Sequence, residues 1–287
     1  MNLLKLFCSV DDFCQKFKPQ WHKTLLPNTF RGPKCSLSLS EIITIMILFH
    51  QSNFRTFKYF YFNLQNYYQK EFPNLLSYSR FVCIKKRIFV PLFAYLLSRQ
   101  GKVTGISFID ATSIAICKNK RINRNKVFKG LAKRGKTTTG WFFGFKLHLI
   151  VNDKGEILSF LLTPGNVSDI APVKELSKGI FGKLYGDKGY ISKKLFEELY
   201  KKGLQLFTTL RSNMKNKFIP LIDKIFLRKR SIIETINDQL KNISQIEHSR
   251  HRSIANFFIN LLSGLVAYTH QEKKPSIKLE KNFPIAC

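Results

Sequence analysis

Residues 140–163 read GWFFGFKLHLIVNDKGEILSFLLT. Two apolar runs, 140–151 and 156–163, flank Asn152-Asp153-Lys154-Gly155. Those four residue types favour a tight reversal, so the stretch predicts a β-hairpin. On its N-terminal side, TGISFID (104–110) alternates with the period of a half-buried strand and ends on an acid. On its C-terminal side a helix is expected at about 170–178, with Asp169 as its cap. A strand GKLYGD (182–187), a helix at about 192–202 and a strand QLFTTL (205–210) follow. Helices over about 217–227 and 229–246, and a last one after Ser253, complete the pattern. This order predicts an α/β domain, a mixed sheet flanked by helices.

The first hundred residues read differently. Ser38-Leu-Ser-Glu41 has capping-box spacing and is followed by Ile42, Ile43, Ile45, Met46, Leu48 and Phe49, a buried helix. Residues 54–72 mix aromatic with basic side chains, Pro73-Asn74 breaks the chain, and Ser79 to Leu97 starts a helix carrying Arg80, Lys85, Lys86 and Arg87. Two readings stand: a helix-turn-helix-like DNA reader using Lys85, Lys86 and Arg87, or a small helical bundle with a solvated basic face. Gln100-Gly101-Lys102 marks the boundary. The expected domains are therefore 1–100, helical; 101–270, the sheet domain; and 271–287, a loose polar tail.

Charge narrows the function. Lys and Arg total 48 against 18 acids, a net charge of +30. Such an excess destabilises a compact chain by self-repulsion unless a polyanion offsets it, which points to nucleic acid. An AT-rich coding sequence explains part of the lysine content but not the scarcity of acids. The six cysteines form no C-x-x-C pair, which argues against a zinc site or a disulfide framework. Asp11 and Asp12 interrupt the N-terminal apolar patch too early for a signal peptide. Ile254 to Tyr268 is too short to span a bilayer, so a cytoplasmic protein is expected.

Acids are so few that each one can be questioned. Asp153 reads as a turn residue, and Asp11, Asp12 and Asp223 lie among polar surface signals. Asp110 and Asp187 each close an apolar, strand-like run, where functional groups of α/β sheets collect; an Asp that merely starts a loop looks the same. Glu234 lies on a helix where Arg230, Glu234 and Lys241 fall at about 0°, 40° and 20° around the axis. Ile232, Ile233, Ile236, Leu240 and Ile243 take the other side. A solvated face with i,i+4 ion pairs has this pattern too.

Taken together, FIDAT, LTPGNVSD, YGDKGY, IETINDQLKN and EHSRHRS resemble the DDE transposases of bacterial insertion sequences, from about Ile106 to Tyr268. The resemblance implies an RNase H-like catalytic core with Asp110, Asp187 and Glu234 as metal-binding triad. It also implies two Mg²⁺ ions, for which Mn²⁺ could substitute, acting on double-stranded DNA. Element ends would be cut and then joined to target DNA, with a homo-oligomer assembled on the DNA and no membrane involved. Arg230 and Lys241 match a Tyr-Arg-Glu-Lys signature, as phosphate contacts beside the metals, while the Tyr slot holds Leu227. Two alternatives stay open: a nuclease on the same core, or a decayed transposase that only binds DNA.

Two further basic clusters stand out. Residues 118–136 (KNKRINRNKVFKGLAKRGK) carry nine basic groups and no acid. Contact with the DNA backbone through Lys126, Lys133 and Arg134 is one reading, and a flexible solvated insertion the other. His248, Arg250, His251 and Arg252 make a second knot, read as a phosphate patch through Arg250 and Arg252 or as a polar turn capping the last helix.

Overall fold

The structure is a computed structural model and describes residues 2–24, 35–138, 140–210, 214, 218–247 and 251–277. The chain divides into two compact units, Met1–Arg99 with Leu240–Glu272, and Gln100–Gln239 with Lys273–Cys287. The sheet domain was expected to run to residue 270; the stretch from Leu240 to Glu272 instead belongs to the helical unit.

The helical unit holds α1 (Leu3–Thr24), α2 (Leu39–Gln51), α3 (Phe57–Tyr67), α4 (Tyr78–Ile84) and α5 (Phe89–Ser98). The capping box at α2 is formed: Glu41 N–H donates to Ser38 Oγ at 3.1 Å, and Ser38 N–H donates to the Glu41 carboxylate at 2.6 Å. The single basic helix expected from Ser79 to Leu97 is broken. A 3₁₀ turn, Lys85–Ile88, separates α4 from α5. Ile84, Ile88, Leu92 and Leu96 are all buried, and the turn rotates the chain to keep that stripe inward. Lys85 is therefore buried, its ammonium 4.8 Å from the centre of the Phe57 ring. Lys86 and Arg87 stay exposed.

The second unit is built on one six-stranded sheet. Its elements are β1 (Ile106–Cys117), β2 (Lys133–Thr137), β3 (Gly140–Asn152), β4 (Ile157–Pro164), α6 (Val173–Leu176), β5 (Gly182–Gly186), α7 (Lys193–Tyr200), β6 (Leu204–Thr208), α8 (Leu221–Lys229) and α9 (Ser231–Asn242). The last helix, α10 (Ile254–Thr269), packs on α2 and α5 in the helical unit. Strand order is β2-β3-β1-β5-β6, with β4 also on β3. The β1–β3, β2–β3 and β3–β4 pairs are antiparallel, whereas β1–β5 and β5–β6 are parallel. This is the mixed, helix-flanked sheet expected of an RNase H-like core. One face buries Ile109, Ile150, Leu184 and Leu206 against Val173, Leu176, Leu195 and Leu199 of α6 and α7. On the other face Phe108 stacks on Tyr185, whose ring lies tilted against Phe226 of α8.

The 140–163 hairpin forms as expected. Gly155 has φ +73°, and a Cβ there would collide with the Pro275 carbonyl oxygen. Ile277 N–H donates to Asp153 O at 2.8 Å, so the start of the expected loose tail is tied to this turn. β2 was not expected, because KRGKT carries no apolar alternation. It is an edge strand, where lysines deter further pairing. No helix among the described residues is long and apolar enough to cross a membrane.

Candidate active site

Asp110 stands inside β1 rather than at its end, because the strand runs on to Cys117 and stays paired with β3 beyond the acid. β5 does stop at the second acid. Asp187 caps a 3₁₀ turn, Lys188–Tyr190, its carboxylate accepting from Lys188 N–H at 2.6 Å and from Thr209 Oγ at 3.4 Å. The parallel register pairs Ile106 with Lys183, Ser107 with Leu184 and Phe108 with Tyr185. Carried two residues further, it sets Asp110 level with Asp187. Residues level on adjacent parallel strands project to the same face, here the face of Phe108 and Tyr185.

That face is covered by α8. Asp223, expected at the surface, is 1% exposed and accepts from Tyr185 Oη at 2.6 Å and Lys183 Nζ at 2.8 Å. In PLIDKIFLRK, positions 223, 226 and 227 share one side of the helix, and all three are buried. Leu227, where the resemblance led us to expect Tyr, is thus core and offers no hydroxyl. The chain passes through Arg230 into α9, where Asn237 Nδ2 donates to Asp110 Oδ2 at 2.9 Å. Asn237 falls at about 340° on the helical count that put Arg230 and Glu234 at about 0° and 40°. The polar face of α9 therefore reaches the acid on β1.

The charges bear this out. Burial, with the charge of Glu234 adding to it, pushes the Asp110 carboxyl up from 3.8 to about 6. The Ala111 N–H, Arg230 and Asn237 pull the other way. Glu234 itself is half exposed and bound to Arg230 at 2.7 Å. Tyr190 is 2% exposed, and its hydroxyl has no hydrogen-bond partner among the described residues. Burial first, then the charges of Asp110, Asp169 and Asp187, lift it well above the usual phenol range. Asn237 and Tyr190 were both missed in the sequence. The face count of α9 contained the signal for Asn237; a buried phenol beside acids leaves none.

Carboxylate oxygens suit a hard divalent cation. The level pair Asp110 and Asp187 fits that chemistry. Glu234 is engaged with Arg230, and among the described residues no three His, Cys, Asp or Glu are grouped to hold a metal ion.

The remaining expected residues scatter. Lys126, Lys133 and Arg134 are exposed on the segment joining β1 to β2. That segment is anchored rather than loose: Phe128 and Ala132 are buried, and β2 pairs with β3. Asp169 pairs with Lys146 at 2.9 Å instead of capping α6, which is only Val173–Leu176. Lys241 pairs with Glu247 at 3.2 Å. Arg252 is exposed, while Arg250 and His248 lie outside the described residues. His251 is pushed down to about 3 by burial and by the nearby Lys85 and His50.

Residues 100–254 match the family described as transposase DDE domain. No curated protein matches the chain. Among solved structures, the cryo-EM structure of the piggyBac transposase synaptic complex with hairpin DNA is similar, with 10% identity and a TM-score of 0.48. That likeness covers 92% of this chain and 72% of the other.

Proposed function

The chain belongs to the DDE transposases, and from that premise we propose that it cleaves insertion-sequence DNA ends and joins them to target DNA, using Asp110, Asp187 and Glu234. The observation that supports this best is the meeting of two acids level on adjacent strands with the polar face of α9, through the Asn237–Asp110 bond at 2.9 Å. Two acids so far apart in sequence have little reason to stand level beside a third on the polar face of α9 except to hold a cation.

Phosphodiester transfer needs in-line attack, with negative charge growing on the phosphoryl and leaving oxygens. Asp110, Asp187 and Glu234 are the residues that would hold two Mg²⁺ ions, or Mn²⁺ in their place. When bound, such ions supply Lewis-acid neutralisation of the attacking and leaving oxygens. The protein's own groups do the rest. Asn237 fixes the rotamer of Asp110, and the Tyr190 ring keeps water from the sheet behind the acids. Arg230 holds Glu234 until DNA arrives and then serves a phosphate. Water attacks a phosphodiester at the element end and breaks its P–O3′ bond, leaving a 5′ phosphate and a free 3′ hydroxyl; that hydroxyl then attacks a target phosphodiester and displaces the target's own 3′ oxygen.

Duplex DNA is the partner this reading requires, both as element ends and as target, with copies of the chain assembling on it. Exposed Lys126, Lys133, Arg134, Lys86, Arg87 and Arg252 are the phosphate contacts we assign. Incubation of the chain with Mg²⁺ and labelled element ends tests the proposal. Cleaved ends and strand-transfer product support it. Cleavage without joining favours a nuclease on the same core, and binding without cleavage favours a decayed copy.

A further inference from the structure

The segment between β1 and β2 borders an open cleft of about 670 Å³. Lys126, Lys129, Lys133, Arg134, Asn123 and Phe143 line it. All four cations are exposed, and none has an acidic partner among the described residues. Four unpaired cations around one hollow repel each other, so the arrangement favours an anion.

Two features go beyond a bare phosphate contact. Backbone tracking needs only a charged surface, whereas this cleft has the volume of a small-molecule site. Its lining also joins apolar surface to the charge, from Ala132 and from Phe143 on β3. The hollow is built into the sheet rather than formed by a mobile loop. Phe128 is fully buried, its ring 6.1 Å from that of Phe145 and its N–H bonded to Asn125 Oδ1 at 3.2 Å. Gly130, at φ +85°, turns the chain with open space where a side chain would stand.

We propose that this cleft takes up one unpaired nucleotide of a DNA strand, its phosphates on the lysine and arginine side chains and its base against Phe143 and the Asn123 amide. The inference rests on the reading of the chain as a DNA-acting enzyme. It adds that the protein distinguishes an unstacked nucleotide from an intact duplex.

The test uses the full chain, fluorescence anisotropy at one salt concentration, and three labelled duplexes: fully paired, with one bulged nucleotide, and with an abasic bulge. The bulged duplex should bind at least about fivefold tighter than the paired one, the low end of what a base stacked on an aromatic ring contributes. The abasic bulge should bind like the paired duplex. Lys129→Ala with Asn123→Ala should bring the preference to within about twofold while paired-duplex binding persists, and Asn123→Ala alone should weaken bulge binding only. Equal affinity for the bulged and paired duplexes overturns the proposal, as does equal affinity for the bulged and abasic ones. Loss of all three duplexes in the unaltered protein would instead refute DNA binding itself.

Discussion

Replacing Asp110 with Asn should make the metal-free protein more stable while abolishing its chemistry. Asn removes the charge and keeps one oxygen that can still accept from the Asn237 amide. The carboxyl is pushed up from 3.8 to about 6, and at about 1.36 kcal/mol per tenfold change in acidity this equals about 3 kcal/mol against the ionised form. The side chain is partly open to water, so about half of that is expected in practice. A gain of about 1.5 kcal/mol raises the melting temperature by about 3–6 °C in a domain of this size. The pH dependence follows from the sign of the shift. An acid whose folded value is raised binds its proton more tightly when folded, so stability is greatest below pH 3.8 and falls as pH rises through about 6. The advantage of Asp110→Asn should therefore be full at pH 7.5 and vanish near pH 3.5. His50 and His251 also titrate in acid, but they are common to both proteins and cancel in the difference. Thermal melts at the two pH values measure it, and adding Mg²⁺ should raise the midpoint of the unaltered protein but not that of the variant. A variant less stable than the parent at pH 7.5, or an advantage independent of pH, would refute the reasoning.

Other perturbations test the scaffold and the charge. Asp223→Ala leaves Lys183 and Tyr185 without their shared acceptor and should cost about 3 kcal/mol, read by urea unfolding. Ser38→Ala removes one half of the capping box at α2 and should cost about 1 kcal/mol, without altering cleavage. For duplex DNA, log affinity should fall steeply with log salt concentration, each phosphate contact adding about 0.9 to the slope. A slope near zero would mean that the net charge reflects codon usage and not a nucleic-acid partner.

The legible parts of the sequence were those with a period. The hairpin at 140–163, the capped helix after Ser38 and most helices of the sheet domain follow from alternation, caps and turn residues. β2 escaped because an edge strand needs no apolar face, and KRGKT has none. The acids themselves were visible, but their company was not. Asp110 and Asp187 come level only through the parallel pairing of β1 with β5, a long-range register that local pattern does not encode. Asp223 and Lys85 read as surface charges because a sequence shows residue type and not enclosure. The structure buries the first against Lys183 and Tyr185 and the second over Phe57. Asn237 was overlooked because an amide among charged neighbours looks like solvated helix, although its angular position placed it with Glu234.

In the proposed mechanism Glu234 completes the reacting site from α9, although it is half exposed and bound to Arg230. The most direct test is Glu234→Gln, which keeps size and hydrogen bonding but removes the charge a divalent cation needs. With Mg²⁺ and labelled element ends, the variant should bind DNA within about twofold of the parent and form neither cleaved ends nor joined product. Cleavage at the parental rate by Glu234→Gln would contradict the claim and exclude the third carboxylate from the chemistry.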